Sequence, residues 1–254
     1  MIPMFVKLLL LFLPLFSLVP GYDHSGSAGL KRASCRDYKN ADQQAKPGNR
    51  PFEDLPIVAF PVDTSTCDFM VLVVSGDGGW NVWEESLRKE FIKKGIPLVG
   101  LNALKYFWKE QTPEQVTSDL SRVLNYYLRN WKKQYFILLG YSFGANIVPF
   151  IATRLKEPYK SKLIKVVLIS PDPQVDFEIH LAEMLDMDLS QYKYNVTEEV
   201  KKIKSIKILC MFGTSEDPDR KKKFRFDPVQ IFELPGKHHF RFNFPPIVEK
   251  ILEK

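Results

Sequence analysis

The five residues Gly140-Tyr141-Ser142-Phe143-Gly144 constrain the fold of this chain more than any other feature. They follow an apolar run at 134–139 and precede a helix-like stretch from Ala145 to Leu155. In that setting a G-x-S-x-G segment reads as a strand turning sharply into a helix, with the central serine on a strained corner. The two glycines carry no Cβ, so strand and helix can approach closely. The Ser142 hydroxyl then stands beside a helix N-terminus, where free N–H groups and the helix dipole favour an oxyanion. Without its flanks the same pentapeptide would be an ordinary glycine-rich turn.

A serine hydroxyl is a weak nucleophile and needs a base, and the base needs an acid to orient it. In this strand-turn-helix context the chain order is serine, acid, histidine. The run Val229 to Leu234 reads as a strand followed by Pro235-Gly236-Lys237-His238-His239-Phe240, which puts a histidine on a loop just past a strand end. His238 is the first candidate and His239 the alternative, because adjacent loop residues point in different directions. The other two histidines, His24 and His180, lie in the N-terminal tail and among mid-chain acids. The strand Ser205 to Gly213 is followed by Glu216 and Asp217, and either carboxylate suits the acid's role, with spacing slightly favouring Glu216. The oxyanion hole calls for two backbone N–H groups. Phe143, after the serine, supplies one. Asp77, in the Gly-rich loop Ser75-Gly76-Asp77-Gly78-Gly79-Trp80 after the strand Phe69 to Val74, supplies the other by position.

Strands and helices alternate along the chain. Pro56 to Val62 reads as an edge strand bounded by prolines. Val82, Leu87, Phe91 and Ile92 mark one buried face of a helix from Asn81 to Lys94, which Gly95 ends. Ile96 to Leu101 is the next strand. Thr112-Pro113-Glu114-Gln115 is a helix start with a threonine cap, and Val116, Leu120, Val123, Leu124, Tyr127 and Leu128 line one face after it. Lys162 to Ser170 is almost continuous Leu, Ile and Val, as in a strand buried on both faces. Pro245 to Lys254 is a closing helix. The alternation predicts an α/β fold, a mostly parallel central sheet with helices on both faces and no large lid domain. The acidic stretch 172–188 should overhang the carboxyl ends of the strands, where ligands bind in such sheets. Asp176 and Glu178, with Asp77, are candidates to attract a cationic group, and Trp80 is a candidate apolar contact.

The chain has 254 residues, 36 Lys and Arg against 30 Asp and Glu, and a net charge of +6. Residues 1–21 read as a signal peptide, with Lys7 followed by an apolar run from Leu8 to Val19, too short to span a bilayer and interrupted by Pro14. Cleavage can fall near Gly21 or as late as Ala28. Residues 22–54 read as an extended arm or linker and 55–254 as the folded domain. Three cysteines, Cys35, Cys67 and Cys210, leave at least one unpaired. Export permits a Cys35–Cys67 disulfide, and Cys210 reads as a buried hydrophobe. No Cys or His spacing suggests a metal, and no cofactor is expected. Basic residues crowd at 201–207 and 220–225, as a solvated face or as an attraction to an anionic membrane surface. No nucleic-acid-binding pattern accompanies them.

Four segments, SGDGGW from Ser75, GYSFGAN from Gly140, FEIH from Phe177 and PGKHHF from Pro235, resemble the bacterial VirJ/AcvB virulence-protein family. The resemblance covers roughly Leu55 to Lys254, with every motif in order. It implies an α/β-hydrolase fold, a periplasmic location, hydrolysis of aminoacyl phospholipids such as lysyl-phosphatidylglycerol, and an association with type IV secretion in some members. Carried over by position, Ser142 is the nucleophile, His238 the base, and Glu216 or Asp217 the acid. One departure stands out. Where relatives are expected to carry a cysteine soon after the acid, this chain reads Pro218-Asp219-Arg220-Lys221-Lys222-Lys223. Two other functions fit the same residues less fully: a non-catalytic periplasmic adaptor of a secretion system, and a broad esterase or thioesterase.

Overall fold

The structure, a computed structural model, describes residues 51–179 and 192–253. The expected signal peptide, most of the expected arm, His24, Cys35 and His180 lie outside the described residues.

Seven strands form one sheet: β1 (Ile57–Phe60), β2 (Phe69–Val74), β3 (Leu98–Leu101), β4 (Tyr135–Tyr141), β5 (Leu163–Ile169), β8 (Lys207–Gly213) and β9 (Val229–Leu234). Their spatial order is β1-β3-β2-β4-β5-β8-β9. All pairings are parallel except that of β1, which runs antiparallel to β3 on the edge. Two further strands among the described residues, β6 (Gln174–Val175) and β7 (Tyr194–Asn195), make a separate antiparallel pair.

The central strands are apolar at nearly every position because both faces are covered. On one face Met70, Leu72 and Val74 pack with α2 (Ala103–Tyr106), α3 (Pro113–Asn130), α4 (Phe143–Arg154) and α5 (Val196–Lys202). On the other, Val71 and Val73 pack with α1 (Val82–Lys93) and α7 (Pro245–Leu252). A short α6 (Pro218–Lys222) follows β8. The alternation of side chains along a strand thus feeds two hydrophobic layers.

The expected start of α3 is present: Thr112 caps it, its hydroxyl accepting from Gln115 N–H at 3.1 Å. The expected face of α1 needs correction. Val82 is 72% exposed, and Trp83 takes the core position instead. Asn81 is the cap, so Val82 is the first helical residue and turns outward. β3 starts at Leu98, after Pro97, rather than at Ile96, and β8 starts at Lys207, after Ser205 adopts a φ of 62°. The last residues of the expected arm are packed rather than extended. Phe52 is buried against Tyr126 and Tyr127, and Asp54 pairs with Arg122 at 2.9 Å, all on α3. Cys210 is fully buried, while Cys67 Sγ donates to Phe69 O at 3.1 Å. Among the described residues no helix is long and apolar enough to cross a membrane.

Candidate active site

The turn from β4 into α4 places Ser142 at φ 53° and ψ −120°, a conformation that L-residues avoid. Such a backbone costs about 1–3 kcal/mol and persists only where the surroundings enforce it. Here they do. The Ser142 N–H donates to Ile169 O of β5 at 2.8 Å, and its carbonyl accepts from Ala145 N–H at 2.9 Å at the start of α4. A Cβ on Gly140 would fall 2.2 Å from the carbonyl oxygen of Gly144, and one on Gly144 would fall 2.1 Å from that of Val74. Both glycines are therefore demanded by the close crossing of α4 over β2 and β4. The result is a partly exposed hydroxyl at the carboxyl edge of the sheet.

Two loops from β8 and β9 lie side by side at the same edge. Thr214 N–H donates to Leu234 O at 2.7 Å, and Ser215 N–H donates to Gly236 O at 2.9 Å. This pairing carries Glu216 toward His238, whose Nδ1 lies 3.7 Å from Glu216 Oε2. Glu216 is buried. Its Oε1 accepts from Ser170 Oγ at 2.8 Å and from the Gly213 N–H, and its Oε2 is paired with Arg220. Burial pushes the Glu216 pKa up. The hydrogen bonds from Gly213 and Ser170, the neighbouring His238 and the charge of Arg220 outweigh burial, and the net direction is down. The acid is held ionised, as an orienting carboxylate must be.

The neighbouring pair does different work. Asp217 caps α6, its carboxylate accepting from Asp219 N–H at 3.0 Å. His239 Nδ1 shares a 2.7 Å hydrogen bond with the Tyr141 hydroxyl, and its ring stacks on Phe242. Burial and the neighbouring His238 push the His239 pKa down, more than the Glu216 charge pushes it up. Tyr141, next to the serine, is stacked flat on Trp83 with centroids 3.5 Å apart. The His238 ring centroid is 5.2 Å from that of Tyr141.

The loop after β2 passes beside the serine: a Cβ on Gly76 would lie 3.6 Å from Ser142 Cβ. Four of its N–H groups are committed, that of Ser75 to Leu101 O at 3.1 Å. Gly76 donates to Glu84 Oε1 at 3.1 Å, Gly78 to Asp77 Oδ1 at 2.9 Å, and Gly79 to Gly76 O at 3.0 Å. Among the described residues the N–H groups of Asp77 and Phe143 are given to no protein acceptor. Those are the two donors that an oxyanion hole at this position would use. A cavity of about 240 Å³ opens here, lined among others by Ser142, Phe143, Asn146, Asp172, Val175 and Tyr192. Asp77, Asp176 and Glu178 also line it, so it carries four carboxylates and, among the described residues, no lysine or arginine. Among the described residues no cluster of His, Cys, Asp or Glu could hold a metal ion.

Residues 68–254 match the model of the bacterial virulence protein family VirJ. The chain belongs to the VirJ family. No curated protein matches this VirJ-family chain by sequence. Solved structures share its fold at low identity. Est1E from Butyrivibrio proteoclasticus aligns with a TM-score of 0.57 at 10% identity, covering 78% of this chain and 93% of that one. Proline iminopeptidase from Mycobacterium smegmatis gives 0.56 at 11%, covering 77% and 92%. MenH from S. aureus gives 0.56 at 12%, covering 77% and 96%. At these identities the likeness establishes the α/β-hydrolase fold, with its mostly parallel sheet between two helical layers.

Of the residues expected at the site of this VirJ-family chain, the structure brings Ser142, Phe143, Asp77, Asp176 and Glu178 to one cavity, and His238 to Glu216. Two expectations are corrected. Trp80 does not line the cavity: it stacks on Phe60, covers Gly100 and donates to Glu85 at 2.7 Å, which fixes it over the edge of the sheet. Asp217 spends its carboxylate on the α6 cap. The basic run at 220–225 is not one solvated face either. Arg220 pairs with Glu216 and Asp172, and Lys221 is buried on Glu233 at 2.7 Å. Sequence reasoning missed Arg220, Ser170, Asn146 and Glu84. Only Glu84 carried a local signal, the Asn81-x-x-Glu84 spacing of a capping box.

Proposed function

We propose that this VirJ-family chain is an exported serine hydrolase that cleaves carboxylic esters through an acyl-enzyme. The observation that carries the reading is the strained Ser142 elbow at one sheet edge with the Glu216–His238 pair. Ser142 Oγ attacks the ester carbonyl while His238 takes its proton, and Glu216 stabilises the imidazolium that forms. The N–H groups of Phe143 and Asp77 receive the charge that develops on the carbonyl oxygen. His238 then gives its proton to the leaving alcohol. Water hydrolyses the acyl-enzyme by the same route in reverse.

The substrate class we propose is an ester of an amino acid whose acyl side bears positive charge. Four carboxylates, one of them paired with Arg220, and among the described residues no lysine or arginine line the cavity at Ser142, and in a confined site like charges raise the local concentration of a cation. Together with the family resemblance this supports an aminoacyl phospholipid, lysyl-phosphatidylglycerol in particular. Access to such a lipid from the periplasm, with basic residues such as Lys201, Lys202 and Lys204 drawn to anionic headgroups, completes the reading. Contact with secretion-system proteins belongs to the same proposal and rests on the family alone.

A fluorophosphonate probe tests the chemistry. Wild type should label and Ser142→Ala should not; absence of label in both favours an adaptor. Hydrolysis of lysyl against alanyl lipid esters by Asp176→Asn/Glu178→Gln tests the substrate. The wild type should prefer the lysyl ester, and an unchanged preference in the variant would discard the carboxylates as its source.

A further inference from the structure

Arg220 lies one helical turn after Glu216 and reaches two carboxylates at once. Its Nη2 donates to Glu216 Oε2, and its Nη1 donates to Asp172 Oδ1 at 2.9 Å. Oε2 is the same oxygen that faces His238 Nδ1 at 3.7 Å, a separation too long for a hydrogen bond. In this resting arrangement the guanidinium, not the imidazole, holds that oxygen. Asp172 is itself fixed: its N–H donates to Asn146 Oδ1 at 2.7 Å, and it lines the cavity beside Ser142. One planar, permanently charged fork thus joins the buried acid to the cavity wall.

We infer that Arg220 is a positioning residue of the hydrolase, sharing the Glu216 carboxylate with His238 and so setting how strongly that carboxylate supports a protonated base, with Asp172 as its counter-ion. The inference rests on the Ser142–His238–Glu216 reading. When Ser142 gives up its proton, positive charge appears on His238 and is stabilised by Glu216. A guanidinium on the same oxygen withdraws part of that stabilisation. Asp172 neutralises part of the guanidinium and returns some of it. The other groups facing His238 are Tyr141 from β4 and His239 on its own loop, and Tyr141 in turn feels the charges of Glu84 and Asp77. Neither Tyr141 nor Asp77 contacts Arg220 in any hydrogen bond or ion pair among the described residues.

The test is the rate of fluorophosphonate inactivation of the purified protein as a function of pH, which requires no natural substrate. In Arg220→Met the acid limb should move to higher pH by about half a unit or more, because a charge that opposes protonation of the base is gone. Arg220→Lys keeps the charge and should hold the limb near its wild-type position. In Asp172→Asn the limb should move to lower pH, since the guanidinium is then less compensated. A purely structural Arg220 would lower the rate at every pH and leave the limb in place, and that result in Arg220→Met overturns the inference. Should Arg220→Met not fold, an unmoved limb in Asp172→Asn overturns it equally. Wild type that does not react at all removes the hydrolase reading and this inference together; a reactive wild type with unmoved limbs removes this inference alone.

Discussion

Two adjacent carboxylates and two adjacent imidazoles meet at this site, and the backbone sorts each pair. Glu216 points inward to Ser170 Oγ and the Gly213 N–H, while Asp217 turns to the first N–H groups of α6. His238 faces Glu216, while His239 turns to Tyr141 and Phe242. For Glu216→Gln the turnover number should fall by about 10²–10⁴-fold, since the imidazole loses the charge that stabilises it. Asp217→Asn should stay within about threefold of wild type, because asparagine caps a helix as well as aspartate does. Steady-state hydrolysis of an activated ester distinguishes them, and a larger loss at 217 would exchange their roles. The sequence could not choose within either pair. Adjacent residues point to opposite sides of a loop, and the choice depends on turns such as Phe240 to Phe242, all at positive φ. Ser142 was legible because its strain demands glycines on both sides. Arg220 was not, because one arginine among five basic residues looks like any other until its partners are known.

At the level of elements, the loop after β2 depends on a glutamate from the helix that follows it. Glu84 is buried, accepts from Gly76 N–H at 3.1 Å and from Asn81 N–H at 3.2 Å, and completes a capping box with Asn81 at the start of α1. One side chain therefore fixes both the loop and the helix end. Glu84→Ala leaves a buried N–H without a partner, which costs about 1–3 kcal/mol. The expected result is a lower Tm by calorimetry, together with slower fluorophosphonate labelling of Ser142. A lower Tm with an unchanged labelling rate would mean that the loop holds its shape without Glu84. The helices and strands themselves were read well where period and caps agreed, as in α3 from Thr112. They were read poorly at their first residues. Val82 is apolar and in phase with the helix, but as the first residue of α1 it has no preceding turn of helix to shelter it.

For the molecule as a whole, the site gathers at one sheet edge because six parallel strands all end there, and the acids that hold it together make stability depend on pH. Burial pushes Glu216 and Glu199 up in pKa, yet their hydrogen bonds and arginine or lysine partners carry both below the ordinary glutamate value. A carboxylate whose folded pKa is depressed contributes stability above its unfolded pKa and loses it as pH falls through the folded one. Glu84 has the opposite sign. Burial outweighs its backbone hydrogen bonds and raises its pKa, so the fold binds that proton more tightly than the unfolded chain. Its contribution is greatest in acid and declines as pH rises through the window between the two values. Urea unfolding between about pH 3 and pH 7 should therefore show stability falling below about pH 4.5, the unperturbed glutamate range. Glu216→Gln should flatten that fall, because the protons the unfolded chain takes up at this position no longer exist. Glu84→Gln should leave that fall in place and instead remove the loss of stability that accompanies rising pH just above about 4.5, because the raised pKa of Glu84 puts its window on that side. If Glu216→Gln leaves the slope as in wild type, the network of Ser170, Gly213 and Arg220 is not what keeps this carboxylate ionised in the folded protein.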